Sequence, residues 1–318
     1  MKQSDNIGLG TAAIGRPQYI NIKQKSDEEV SLEAFKQKGI YLLNKAYAQG
    51  VRYFDTAPGY GFAEKLLIDW TANKNDDEIE IATKWGYTYV ANFDPNAKTH
   101  EVKEHSLQKL NEQWIQSKRL LPYLSTYQIH SATLETGVLD NEEVLQRLFE
   151  LKNKHGILIG ITSTGSDQLS TIKKALDVEI NGSQIFDVFQ VTYNIFDQSL
   201  ASIIDKLSKQ KKRTVIKEAL ANGRVFPNEN YPNYSKAYKR LNDLSEKYQT
   251  GVDAIALRFC MDSIPVYKVL SGASNEQHLI DNLKVSDFEL EKSDVLDLKK
   301  LSIDPKLYWN ERKKLGWS

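Results

Sequence analysis

Short apolar, β-branched runs recur along the chain, separated by longer stretches whose apolar positions repeat with helical spacing. The runs predict strands at Ile7–Gly10, Arg52–Asp55, Ile79–Thr83, Thr126–Ile129, Ile157–Ile161, Val188–Val191, Thr214–Ile216 and Tyr267–Leu270. Most are continuously apolar rather than alternating, the pattern of strands covered on both faces.

Between them, Glu33–Gln49 carries Phe35, Ile40, Leu42, Leu43 and Ala46 on one helical face and stops at Gly50, a suitable residue just past a helix end. Glu101–Gln116 offers Val102, Leu107, Leu110 and Trp114 at helical spacing. Asn141 can cap a helix over Asn141–Lys154 that ends before Gly156. Further helices are predicted at Asp167–Leu176, Ser199–Lys209, Ser235–Tyr248, Val252–Met261, Asn275–Leu283 and Glu289–Leu301. Eight strands alternating with about eight helices indicate an α/β fold, a single (β/α)8 TIM barrel, rather than an open doubly wound sheet. A Rossmann unit would place G-x-G-x-x-G after the first strand; here Gly8-Leu9-Gly10 is followed by Ala13, and the fingerprint fails. No repeat or linker interrupts residues 1–318, which read as one domain with a C-terminal extension from about 303 to 318.

Composition narrows the reading further. A chain of 318 residues buries roughly three quarters of its surface on folding, so the core needs no staples. Lys+Arg and Asp+Glu are both 42, which leaves no basic excess for nucleic acid. Cys260 is the sole cysteine, so no disulfide forms within the chain and a cytoplasmic setting is expected. No apolar run approaches a membrane span, and the first ten residues do not form a secretory signal.

In a barrel, reactive side chains gather at the carboxyl ends of the strands. Asp55, Lys84 and His130 end or directly follow the second, third and fourth predicted strands, and Tyr60 lies five residues beyond Asp55. Each alone has a plain structural reading: a turn-forming Asp, a packed Tyr, a solvated Lys, a core His. Four titratable groups on three consecutive strands are far more specific than any one of them.

These residues sit in segments that resemble the aldo/keto reductase family over nearly the whole chain. The resemblance rests on Gly8-Leu9-Gly10-Thr11, then on Phe54-Asp55-Thr56-Ala57-Pro58-Gly59-Tyr60-Gly61 with Glu64. Ile81-Ala82-Thr83-Lys84, Gln128-Ile129-His130 and Ile159-Gly160-Ile161-Thr162-Ser163 follow, then Leu220-Ala221-Asn222-Gly223 and Gly272-Ala273-Ser274-Asn275 with Asn282. It implies a barrel that binds a nicotinamide dinucleotide and moves a hydride between it and a small carbonyl or a sugar-like alcohol. In that reading Tyr60 is the general acid in reduction and the base in oxidation. An unperturbed phenol titrates near ~10, and Lys84 is expected to lower it. Asp55 would hold Lys84 charged, and His130 would orient the carbonyl. No metal is expected.

The resemblance also implies cofactor contacts at Thr11, Thr162, Ser163, Gln190, Lys217, Glu218, Leu220, Asn222, Gly272, Ser274 and Asn282. Gln190 is in addition a polar residue inside an apolar strand, which supports that role. Several features depart from the family pattern, among them His278 where the family often has Gln and a short start before the first strand. Lys217 stands where an aromatic ring often stacks on the nicotinamide, Thr162-Ser163 replaces Ser-Asn, and Ser271–Asn282 contains no Lys or Arg to grip a 2′-phosphate. NADP(H) is expected ahead of NAD(H) on the resemblance. The alternatives are a non-catalytic, cofactor-binding regulatory protein on the same barrel, and a Schiff-base enzyme using Lys84. The latter needs a neutral lysine, which Asp55 opposes.

Overall fold

The computed structural model describes residues 6–16, 31–94 and 96–316. Eight parallel strands close on themselves: β1 (Ile7–Gly10), β2 (Tyr53–Asp55), β3 (Glu80–Trp85), β4 (Leu124–Ala132), β5 (Leu158–Ser163), β6 (Val188–Thr192), β7 (Arg213–Lys217) and β8 (Lys268–Ser271). Each pairs with its sequence neighbour, and β1 pairs with β8. All eight predicted strands are present, several of them longer than predicted.

Helices cover the outside of the barrel: α1 (Leu32–Ala48), α2 (Ala63–Thr71), α3 (Leu107–Ser117), α4 (Glu142–His155), α5 (Gln168–Leu176), α6 (Ala201–Lys209), α7 (Ser235–Tyr248), α8 (Val252–Ser263) and α9 (Glu276–Leu283). Their ends follow local chemistry. Asn141 accepts from the Val144 amide at the start of α4, and Gly156 leaves its end with φ 66°. The predicted helix over Glu101–Gln116 is corrected: Glu101–Lys103 is a strand paired antiparallel with Tyr87–Tyr89, and α3 begins at Leu107 after the Ser106 cap. Helix α2 was not foreseen, and the predicted Glu289–Leu301 helix contracts to α10 (Lys292–Lys299).

The C-terminal extension forms α11 (Pro305–Lys313), capped by Asp304. It is fixed by buried Tyr308 and Trp309; Asn194 donates to the Tyr308 hydroxyl at 2.9 Å, and the Trp309 indole donates to Asp197 at 3.0 Å. Trp317, also in the predicted tail, lies outside the described residues.

The main core lies between strands and helices, and a smaller one fills the barrel itself. Tyr53, Ala82, Val188, Val215 and Leu270 form that inner layer. Two residues further along β2, β3, β6 and β7, on the same inward face, come Asp55, Lys84, Gln190 and Lys217. Gly8 and Gly160 make room inside: a Cβ on Gly8 would lie 2.7 Å from the Tyr53 ring, and one on Gly160 2.7 Å from Gln128 Cγ. At the amino ends of the strands, Glu80 accepts from Arg213 at 2.9 Å and from the Tyr267 hydroxyl.

At the opposite end, a single helical turn after β1 packs on the loop after β2. The Phe62 amide donates to Gly15 O at 2.7 Å. A Cβ on Gly15 would lie 2.0 Å from Tyr60 O. Gly15→Ala is therefore expected to destabilise the chain by roughly 1–3 kcal/mol through overpacking. Equilibrium denaturation checks this; unchanged stability would contradict the contact.

Candidate active site

The four strand-end residues converge. Lys84 forms an ion pair with Asp55 Oδ1 of the adjacent strand inside the barrel, and it donates to Thr56 O at 2.9 Å. Both partners are almost fully buried, at 1% and 4% side-chain exposure, so each charge depends on the other for stability in a weakly screening interior. Gln190 donates to Asp55 Oδ2 at 2.6 Å, and Gln128 approaches the same oxygen at 3.4 Å. The Gln190 amide nitrogen faces Asp55.

Tyr60 and His130 face each other, with the hydroxyl 3.4 Å from Nε2 and the rings edge to face. The Lys84 ammonium is 4.8 Å from the Tyr60 ring centre. Burial, then the positive charges of Lys84, Lys217 and Arg16, hold His130 well below the ordinary imidazole value, so it is neutral at physiological pH. His105 braces this strand end by donating to His130 O at 2.9 Å.

The expected lowering of the Tyr60 phenol is corrected. Burial first, then the negative charges of Asp55 and Glu101, push it well above the ordinary phenol range, while Arg16 works against them. The phenol is therefore protonated at physiological pH. The charge of Lys84 is tied up in its pair with Asp55.

The residues expected at the cofactor lie around the same barrel mouth. Thr11 donates to Asp55 O at 3.0 Å. Thr162 accepts from the Ser131 amide at 2.6 Å, and Ser163 is buried beside Gln168. Lys217 donates to the Thr192 hydroxyl at 2.8 Å. Glu218, Ala221 and Asn222 all adopt positive φ, with half-buried Leu220 between them, so this loop is held in an unusual path. Burial works against ionisation of Glu218, but Arg312 and Lys217 hold its carboxyl down to about 2. On β8 and α9, Gly272 and Ser274 are exposed, Asn275 caps the helix, and Asn282 donates to Ser271 at 2.7 Å. Exposed glycine and hydroxyl groups beside capped helix amides are a donor set suited to a phosphate.

Sequence reasoning missed several neighbours. Arg312 on α11 pairs with Glu218 at 2.7 Å, and buried Arg224 pairs with Glu311 at 3.3 Å, so the C-terminal helix ties down the strand-seven loop. Arg16 and Glu101 pair at 2.7 Å beside Tyr60. Gln128 could have been found, since it shares the inward face of β4 with His130.

The comparisons with known proteins agree with this fold. The family model described as "Aldo/keto reductase family" matches residues 6–303. The chain is 22% identical over 326 residues to "Aldo-keto reductase YhdN" of Bacillus subtilis, covering 93% of this chain and 89% of that one. It is 20% identical over 324 residues to the "NADH-specific methylglyoxal reductase" of Escherichia coli, covering 93% and 94%. Among solved structures, the holo form of aldo-keto reductase AKR11C1 from Bacillus halodurans superimposes with a TM-score of 0.70 at 20% identity, covering 94% of this chain and 92% of that one. Glycerol dehydrogenase AKR11B4 from Gluconobacter oxydans gives 0.69 at 21% identity, covering 94% and 95%. The chain belongs to the aldo/keto reductase family. It is an oxidoreductase that uses a nicotinamide cofactor, and the family acts on small carbonyl substrates. No helix among the described residues is long and apolar enough to cross a membrane.

Glu64, on α2 just past the Tyr60 loop, accepts from Thr83 at 2.6 Å and Ser117 at 2.8 Å. Burial raises its carboxyl from 4.5 to about 7. The folded chain then holds this proton more tightly than the unfolded chain. The stabilisation is full below pH 4.5 and is lost as pH rises through 7. Glu64→Gln removes that titration. Denaturation curves are expected to show wild type losing about 3 kcal/mol relative to the variant between mildly acidic and mildly alkaline pH. A pH-independent difference would contradict the assignment.

Proposed function

We propose that Tyr60 is the proton donor for reduction of a small carbonyl compound and the proton acceptor when an alcohol is oxidised. The observation that carries this reading is the buried Asp55–Lys84 pair under a protonated Tyr60 that faces a neutral His130. A carbonyl oxygen placed between Tyr60 Oη and His130 Nε2 would meet two hydrogen-bonding groups. His130 holds the oxygen, and Tyr60 delivers the proton as negative charge develops on it. Lys84 pairs with Asp55 beneath the site, with its ammonium 4.8 Å from the centre of the Tyr60 ring. In oxidation the same atoms run in reverse, with Tyr60 taking the proton of a sugar-like alcohol.

The nicotinamide supplies or accepts the hydride when bound. Thr162, Ser163 and Gln190 would hold its carboxamide end, with Lys217 and Glu218 beside the ring. Leu220 and Asn222 would follow the diphosphate, Gly272 and Ser274 would take the adenosine phosphate, and Asn282 would meet the adenine. Thr11 anchors the β1 end of the site through Asp55.

Tyr60→Phe is expected to cut carbonyl reduction by roughly 10²–10⁴-fold while cofactor affinity changes little. A panel of aldehydes that includes methylglyoxal, assayed with NADPH and NADH, checks this. Near-wild-type turnover in a folded variant would remove Tyr60 from the mechanism.

For the cofactor, the family favours NADP(H), yet no Lys or Arg lies within Ser271–Asn282. Ser274, whose hydroxyl is 3.2 Å from His278 Nδ1, and the amides of α9 are the groups that would meet a 2′-phosphate. Such groups are weaker than an Arg–phosphate pair. The expected preference for NADPH over NADH is about tenfold or less, or roughly 1.4 kcal/mol. Ser274→Arg should tighten NADPH more than NADH in fluorescence titrations. A strong wild-type preference that this change leaves untouched would place the grip elsewhere.

A further inference from the structure

Lys84 lies on one side of Tyr60; a second cation, with no role in the reading above, lies close to the same ring. Arg16 follows the helical turn after β1 and is almost fully buried, at 2% exposure. Its Nη1 donates to Gly59 O at 2.9 Å and to Glu101 Oε1 at 2.7 Å. Gly59 is the residue directly before Tyr60. The guanidinium carbon is 5.6 Å from the centre of the Tyr60 ring and 5.6 Å from that of Tyr89. Its place is set by the backbone, because Gly15 abuts Tyr60 O and Gly15 O accepts from Phe62. Gly61, at φ 63°, permits the approach: a Cβ there would lie 2.5 Å from Gly15 O.

A buried guanidinium is costly unless it is paired and hydrogen-bonded. Glu101 supplies that pairing from the Tyr87–Tyr89/Glu101–Lys103 hairpin, a different part of the chain. The result is a cation held on the acid's own loop by a backbone carbonyl, with a carboxylate that partly cancels its field.

We propose that Arg16 is a positioning residue for the Tyr60 acid, fixing its loop and favouring its phenolate, and that Glu101 is the counter-charge that limits this effect. The proposal rests on Tyr60 being the proton donor.

The charged and titratable groups around Tyr60 come from every neighbouring element. Asp55 comes from the end of β2, Lys84 from β3, His130 from β4 and Glu218 from the loop after β7. Glu101 comes from the hairpin and Arg16 from the turn after β1. Burial and the three carboxylates act to keep the phenol protonated, and Arg16 acts in the opposite direction. Lys84 is engaged by Asp55, which leaves Arg16 as the opposing charge.

The signs follow. Without Arg16 the phenol holds its proton more firmly, so the alkaline fall in kcat/KM for reduction moves to higher pH and the plateau drops. Without the Glu101 charge the field of Arg16 is less cancelled, and the same fall moves to lower pH.

The test is the pH dependence of kcat/KM for the best aldehyde of the panel, in wild type, Arg16→Met, Arg16→Lys and Glu101→Gln, with Tyr60→Phe as reference. Arg16→Met is expected to move the alkaline limb up by about one pH unit, Glu101→Gln to move it down by about half a unit, and Arg16→Lys to restore most of the wild-type profile. A purely structural brace would lower rates without moving the limb in opposite directions. If both limbs stay in place, or both move the same way, the proposal is overturned while an inactive Tyr60→Phe leaves the proton-donor reading standing. An active Tyr60→Phe overturns that reading and this one together. If Arg16→Met does not fold, the downward shift in Glu101→Gln and the retained profile of Arg16→Lys decide the question.

Discussion

The ion pair between Asp55 and Lys84, buried inside the barrel, is the interaction on which the rest of the site depends. Two charges at 4% and 1% exposure persist there only because each answers the other and further hydrogen bonds complete the set. Gln190 from β6 satisfies the second carboxylate oxygen and Thr56 O takes another ammonium proton. Opposite walls of the barrel are thereby joined through one carboxylate. The layer beneath is apolar, made of Tyr53, Ala82, Val188, Val215 and Leu270, so the charges are confined to the carboxyl end of the strands. Tyr60 and His130 sit above this pair, and their protonation states follow from it and from their own burial.

Around that centre, loops are tied by pairs that join distant parts of the chain. Arg16 and Glu101, 85 residues apart, fix the loop that carries Tyr60. Glu218–Arg312 and Arg224–Glu311 fix the loop after β7 to α11. That loop carries three non-glycine residues at positive φ, a conformation that persists only when its surroundings over-determine it. The C-terminal helix thus holds the loop after β7 in place rather than being an appendage packed on the barrel.

The barrel was legible because its strands are continuous apolar runs, a pattern imposed by cover on both faces. The candidate catalytic side chains were legible because each stands at or just beyond a predicted strand end, in segments that resemble the family pattern. What escaped has physical reasons. Tyr87–Tyr89 and Glu101–Lys103 form a polar surface hairpin whose Val102, with Leu107 and Leu110, falls on a helical period by coincidence. Helix α2 is only nine residues long, and its start is set by the packing of the Tyr60 loop rather than by a capping side chain. The Arg16–Glu101 and Arg312–Glu218 pairs leave no trace in local pattern, since only the closed barrel brings their partners together. The acidity of Tyr60 was misjudged because the charge of Lys84 was weighed without the burial of the phenol and the carboxylates of Asp55 and Glu101, which set the sign.

A double-mutant cycle on the central pair tests the account most directly. It compares kcat/KM for aldehyde reduction in wild type, Asp55→Asn, Lys84→Met and the double variant, with folding verified for each. If the pair works as one unit beneath Tyr60, the losses are strongly non-additive, and the double variant is little worse than the poorer single variant. Losses that simply add, each residue contributing as though the other were absent, would contradict it.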